Sequence, residues 1–371
     1  ETVTVCMKFK SGDEKNLFGK ANLQPVAAAM LTRGTKTMTR SEIEDRMTEL
    51  KMAGSITNFT TTRKNLPAAL ELVFDAMHNS IMPQDEFDQF KKQMQVMIES
   101  MRDKPDALAQ NAITQHFNTY PKGDPRYEYS LDESLEQLNK LTVDQVRAFY
   151  KEFGGTSRGE ISIVGDFDPK AVEKIIRDDY AKYVSKAHYA PVVTEYRPVK
   201  ATRVVIDTPD KENAIIVARS VFPINDTAPD APALTVANWI LGGGTGLSNR
   251  LIERLRQKEG LSYGAGSHVR IPAKGDNGSF VFRAIVAPQN MLQAEASARD
   301  VIAKAIKDGF TDQEVEEAKK GLLQAMQVAR SQDDVVARSW NDKMENQRTW
   351  VFSKKQAEAI SKLTTADVNA A

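Results

Sequence analysis

The chain has 371 residues, of which 41% are apolar and 27% charged, with 50 Lys and Arg balanced by 50 Asp and Glu. That length suits two domains better than one core, and the neutral balance gives no reason to expect nucleic acid or an anionic membrane as partner. No apolar run approaches the roughly 20 residues needed to cross a bilayer; the single cysteine, Cys6, excludes an internal disulfide and leaves the compartment open, a periplasmic or otherwise exported one included.

In chain order, the sequence begins at Glu1, without a Met, directly on a strand-like run over Thr2–Lys10. Pro83–Ala109 reads as one long amphipathic helix, with Phe87, Phe90, Met94, Met97 and Met101 at helical spacing and Pro83 where a helix should start. Glu160–Val164 reads as a strand, followed by a Gly165–Pro169 turn and a helix over Lys170–Tyr183. Ala187–Pro198, with two prolines and little periodicity, reads as a linker. Past Arg203, the runs VVIDTP and AIIVARSVF both read as strands. Thr311–Ala337 reads as a second long amphipathic helix, and the chain stops at Ala371 in a helix-like stretch. The strand start and the ragged end point to a piece of a longer chain.

The chain also repeats itself. Aligned without a gap, Glu86, Lys91, Lys92, Arg102 and Asp106 fall on Glu314, Lys319, Lys320, Arg330 and Asp334, and Phe87 and Met94 fall on Val315 and Leu322. Leu138–Val146 (LNKLTVDQV) matches Ile360–Val368 (ISKLTTADV), and MLTRGT ending at Thr35 matches ILGGGT ending at Thr245. Charged amphipathic helices can match by chance once, but hardly three times in the same order. The expectation is an α+β fold of two homologous domains, 1–184 and 199–371, joined by a linker over 185–198. Each would be a largely antiparallel sheet with helices packed on one face.

Little in the sequence suggests chemistry of its own. His78, His116, His188 and His268 lie far apart, and no H-E-x-x-H, H-x-x-E-H or G-x-S-x-G is present. Cys6 lies in an apolar strand and reads as packing. The run Gly242-Gly243-Gly244-Thr245-Gly246 lacks the Lys of a phosphate loop and follows a helix-like segment, Leu234–Leu241. It reads equally as a flexible turn or as a mobile loop beside a substrate path. In LSNRLIERLRQKEGLSYGAGS, Leu247, Leu251, Ile252 and Leu255 mark a helix face, Gly260 fits a helix stop, and Leu261–Ser267 reads as a short strand. Arg256 and Tyr263 then flank one turn, although an Arg in a last helical turn often only answers the helix dipole.

This stretch resembles the second-domain signature of the pitrilysin/insulinase-type zinc peptidases: a Gly-rich turn, S-x-R-L, then L-R-x-K-x-G-L-x-Y. The resemblance implies a clamshell of two halves around a peptide, one half holding zinc and the other supplying the Arg and Tyr, here Arg256 and Tyr263, to the scissile carbonyl. The H-x-x-E-H of catalytic members corresponds to Pro25-Val26-Ala27-Ala28-Ala29, followed by Gly34-Thr35. Both histidines and the glutamate are missing, so a carboxylate such as Glu99 has no zinc site to complete. The expectation is a non-zinc-binding half or subunit of a zinc metalloendopeptidase, with zinc in a homologous partner half and peptide or unfolded polypeptide as substrate. The ends favour the C-terminal half of a longer chain over a separate subunit. A non-catalytic scaffold subunit or a peptide-binding module is the alternative.

Overall fold

The computed structural model describes residues 2–244 and 249–371. β1 (Thr2–Phe9) is followed by α1 (Leu23–Met30), α2 (Arg40–Glu49), β2 (Ala53–Ser55), β3 (Asn58–Thr62) and α3 (Leu66–His78). Then come α4 (Gln84–Met101), α5 (Pro105–His116), α6 (Leu131–Lys140), α7 (Val143–Phe153), β4 (Gly159–Val164) and α8 (Pro169–Asp178). After a long irregular stretch, β5 (Ala214–Pro223) leads to α9 (Ala231–Asn238), α10 (Arg250–Ile252), β6 (Ser262–Arg270) and β7 (Asn277–Val286). The chain finishes with α11 (Met291–Asp308), α12 (Asp312–Ala329), α13 (Asp333–Glu345), α14 (Trp350–Lys362) and α15 (Thr365–Ala370).

The first sheet has the order β2-β3-β1-β4 and the second the order β5-β7-β6, all pairs antiparallel. Read from its other edge, the second sheet repeats the β2-β3-β1 order of the first. The fold is therefore the α+β fold of two homologous units that the sequence led us to expect. On β1, Val3, Val5 and Met7 point into a core shared with α1, α3, α4 and α7. In the second sheet Phe282, Ala284 and Val286 pack with Ala294, Ala298 and Val301 of α11.

The repeated residues have repeated tasks. Lys91 Nζ donates to the carbonyl of Leu141 (3.0 Å), and Lys319 Nζ to that of Leu363 (2.8 Å). This ties α4 to the break between α6 and α7, and α12 to the break between α14 and α15. Thr142 and Thr364 cap the helices after those breaks, their hydroxyls accepting from the N–H groups of Gln145 and Asp367. Glu86 accepts from Arg33 (3.1 Å), and Glu314 binds Arg250 through two bonds (2.6 and 2.7 Å).

Two expectations need correction. Neither long helix is continuous. The first breaks at 102–104, where Lys104 is extended because a residue before proline avoids the helical region; the second breaks at 330–332 around an extended Gln332. The VVIDTP run makes no strand: Val204, Val205 and Ile206 are exposed and no described strand pairs with them. An apolar run becomes a strand only where a ladder partner takes its backbone groups.

These breaks let α5 and α13 turn away from their own units. α13 lies on the face of the first sheet opposite its core: buried Asn341 donates to the Cys6 carbonyl (2.9 Å) and accepts from Ser162 Oγ (2.5 Å). Lys8 pairs with Glu345 on the same face. Reciprocally, α5 lies on the face of the second sheet opposite its core. Asp106 accepts from Arg283 (2.8 Å), and Phe117 stacks on Arg219 at 4.8 Å. Each sheet is thus covered on its second face by a helix of the other unit. The middle of the irregular stretch is tied to both units: Arg126 donates to the Val193 carbonyl (2.9 Å) and Tyr196 N to Asp276 (2.6 Å).

Candidate functional site

The segment over 231–270 is built differently from its surroundings. α9 runs into a π-helical segment, Trp239–Gly243, and α10 into a second one, Glu253–Lys258. Such wide turns are rare in helices and are enriched at functional sites. The two flank residues 245–248. Thr245 and Gly246 of the glycine run lie outside the described residues. Gly242 and Gly243 form part of the first π-helical segment instead of a turn. A Cβ on Gly242 would meet Ser267 N and Oγ at 2.6 Å, and one on Gly243 would meet Asn238 Nδ2 at 2.1 Å. A Cβ on Gly244 would lie 3.0 Å from the Trp239 carbonyl oxygen. Gly242 thus lets the segment lie directly against β6, while Gly243 and Gly244 let it close on Asn238 and Trp239 of its own helical run.

Leu251 and Leu255 are fully buried, as the helix-face reading requires. Arg250, clamped by Glu314, also donates to the Gly309 carbonyl (3.0 Å) and stacks on Phe310 at 4.7 Å. The Arg250 guanidinium and the hydrogen bonds from Thr311 hold Glu314 well below the usual carboxylate range, at about 2. The second π-helical segment ends at a turn closed by Gly260 N to the Arg256 carbonyl (3.2 Å) and Leu261 N to the Leu255 carbonyl (2.8 Å). Gly260 has φ +62°, the left-handed conformation glycine adopts freely. Glu259 is bound to Arg254 and Ser297, and these hydrogen bonds pull its carboxyl below the ordinary range.

Arg256 and Tyr263 stand on the two arms of this braced turn, and both are exposed, Tyr263 by 66%. Tyr263 is at an irregularity in the β6–β7 ladder, where the register shifts between Ser262 and Gly264. A bulge of this kind re-aims a side chain. At the neighbouring Gly264 an added Cβ would meet nothing within 4 Å. The arrangement therefore presents a guanidinium and a phenol on a rigid mount, both able to donate hydrogen bonds to a carbonyl oxygen.

The position corresponding to the zinc motif is α1. Pro25 and Ala28 are exposed on it and Ala29 is half-buried, so the side chains of a zinc-motif surface are present as alkyl groups. They supply no donor atom, and the zinc that the family implies does not fit here. Among the described residues no group of three or more His, Cys, Asp or Glu could hold a metal. Glu99 is exposed and bonded to Arg102 (3.3 Å). His78 stacks on Phe74 at 5.3 Å, His116 meets the Lys200 carbonyl (2.8 Å) and His188 meets Asp13 (2.9 Å). Cys6 is buried, and burial pushes its thiol pKa up, which suits packing and not nucleophilic attack. The π-helical segments and the exchanged helices were missed by sequence reasoning, because π turns carry no residue signature and periodicity does not report which sheet a helix covers.

Residues 140–322 match the family model described as the peptidase M16 inactive domain. An uncharacterized zinc protease of Mycobacterium bovis is 24% identical over 299 residues, covering 77% of this chain and 66% of its own length. Matches to the curated relatives of this kind thus span less than two thirds of their length. The crystal structure of a peptidase M16 inactive domain from Pseudomonas fluorescens superposes with a TM-score of 0.83 at 20% identity, covering all of this chain and 88% of that one. The periplasmic protease PqqL from Escherichia coli superposes with a TM-score of 0.67 at 14% identity, again over all of this chain but over only 41% of its own. Residues 140–322 thus belong to the M16 (pitrilysin/insulinase-type) peptidase family, and the chain has no H-x-x-E-H zinc motif.

Proposed function

We propose that the chain is the non-zinc-binding half or subunit of a zinc metalloendopeptidase, built as repeat domains 1–184 and 199–371 around the linker 185–198. It encloses a peptide or unfolded polypeptide and supplies Arg256 and Tyr263 to the scissile carbonyl. The observation that carries this reading is the braced turn: two exposed hydrogen-bond donors on one rigid mount, in a chain whose metal position is alkyl. The zinc-bearing homologous half supplies the metal and the attacking water. The chain that superposes over only 41% of its length supports a larger assembly in which a fold of this kind is one part.

In this chain's share of the reaction, Arg256 holds a peptide carbonyl in the ground state, and the Tyr263 hydroxyl donates to the oxyanion as charge develops. Tyr263→Phe in the assembled enzyme should then lower kcat by roughly 10²–10³ with a much smaller change in KM. Arg256→Ala should harm both constants, since a guanidinium also holds carbonyls before reaction. Zinc content and melting temperature should stay at wild-type values in both. A fully active Tyr263→Phe enzyme would remove this role.

A further inference from the structure

The face of the second sheet opposite its core is basic. Arg219 of β5, Val281 of β7 and His268 of β6 lie side by side across it. Val217, Arg283 and Gly266 form the next row, and Val221, Ser279 and Arg270 the row on the other side. Four basic side chains thus share one face. α5 of the first unit covers the β5 side and neutralises Arg283 through Asp106. His268 and Arg270 on the β6 side are exposed. Among the described residues, neither Arg219 nor Arg270 has a carboxylate within ion-pair distance. Arg219 is half-buried beneath the Phe117 ring, with its Nε out of water and without a hydrogen-bond partner. Among the described residues, Arg270 donates only a long bond to the Asn277 carbonyl (3.5 Å). It borders a cleft of about 220 Å³ lined also by Lys274, the linker residues Val193 and Thr194, and Glu345, whose carboxylate is paired with Lys8.

A guanidinium taken out of water without a counter-charge is costly. Burial and the neighbouring Arg270 both make Arg219 harder to protonate, with Glu128 the acid acting against them. A carboxylate would meet the fork geometry of either arginine. We propose that this face, over Arg219, His268 and Arg270, is an anchoring subsite for the carboxylates of an acidic peptide. The inference rests on the peptide-enclosing role proposed above and adds to it a substrate class. The subsite is remote from the scissile bond: Arg270 lies seven steps along β6 from Tyr263, about 23 Å at the rise of a strand.

The test is binding to the intact chain at low salt, read by fluorescence anisotropy with two labelled unstructured peptides differing only in four Glu against four Gln. The Glu peptide should bind about tenfold more tightly, and the advantage should fall as salt rises. Arg270→Gln and His268→Gln, both at exposed positions, should remove most of the advantage and leave binding of the Gln peptide as it was. Amidating the C-terminus separates the two sources of carboxylate: an advantage of Glu over Gln that persists comes from the side chains alone, and one that disappears needs the terminal group as well. Equal binding of the Glu and Gln peptides overturns the subsite while leaving peptide enclosure standing, as does an undiminished advantage in both variants. No binding of either peptide removes enclosure and the subsite with it.

Discussion

Asn341→Ala tests whether the exchanged helices make one body of the two units. Asn341 is 2% exposed, and its side chain joins α13 to β1 and β4: it donates to the Cys6 carbonyl, lies 3.2 Å from the Cys6 sulfur, and accepts from Ser162 Oγ. Alanine deletes two good hydrogen bonds, worth about 1 kcal/mol each, and leaves the Ser162 hydroxyl and the Cys6 carbonyl buried without those partners, at a further cost of about 1–3 kcal/mol. The expected loss is about 3 kcal/mol. With roughly 2.1 cal/mol/K of unfolding entropy per residue, a chain of this length unfolding as one would melt about 4 °C lower. Equilibrium denaturation followed by tryptophan fluorescence reads the change, Trp340 being the preceding residue of α13. Cys6, only 8% exposed, should become labelled by a thiol reagent several-fold faster. A stability within about 0.5 kcal/mol of wild type, with Cys6 labelling unchanged, would refute the clamp.

Two further outcomes concern the mount of Arg256 and Tyr263. The Glu314–Arg250 clamp should make stability pH-dependent: Glu314 is held at about 2 against an ordinary 4.5, so its contribution is present above pH 4.5 and is lost as pH falls through 2. The stability difference between wild type and Glu314→Gln should therefore be full at pH 7 and shrink between pH 4.5 and 2, and a difference that stays constant with pH would contradict the pairing. Gly242→Ala should destabilise by about 1–3 kcal/mol, because its methyl meets Ser267 at 2.6 Å. Gly264→Ala, whose methyl meets nothing within 4 Å, should melt near wild type, and equal melting of both variants would count against close packing of the glycine segment on β6.

Much of the fold was legible because the residues that repeat are those that hold each unit together. Glu86 and Glu314 each bind an arginine from earlier in their unit, and Lys91 and Lys319 each bind the carbonyl of a leucine at a helix break. Such tasks fix residue type and spacing, so they survive in a sequence. Val204–Ile206 misled because strand propensity describes a surface that would suit a ladder, not the presence of a partner. The break in the second long helix was invisible because Gln332, unlike Lys104, precedes no proline. At the site, Arg256, Tyr263 and Gly260 were readable from their spacing around a turn. The wide helical turns were not, since a hydrophobic period near four residues fits an α-helix as well as a π-helix. The basic face of the second sheet was hidden too, because Arg219, His268 and Arg270 come from separate strands and meet only through register.

The most direct measurement of the central claim is peptide hydrolysis by this chain, by a zinc-bearing homologous half, and by the two together, with zinc quantified in each sample. The account expects no metal-dependent cleavage and no stoichiometric zinc in this chain alone, and a rate for the mixture well above that of the zinc-bearing half. Metal-dependent hydrolysis by this chain alone, or a mixture no faster than the zinc-bearing half by itself, would contradict it.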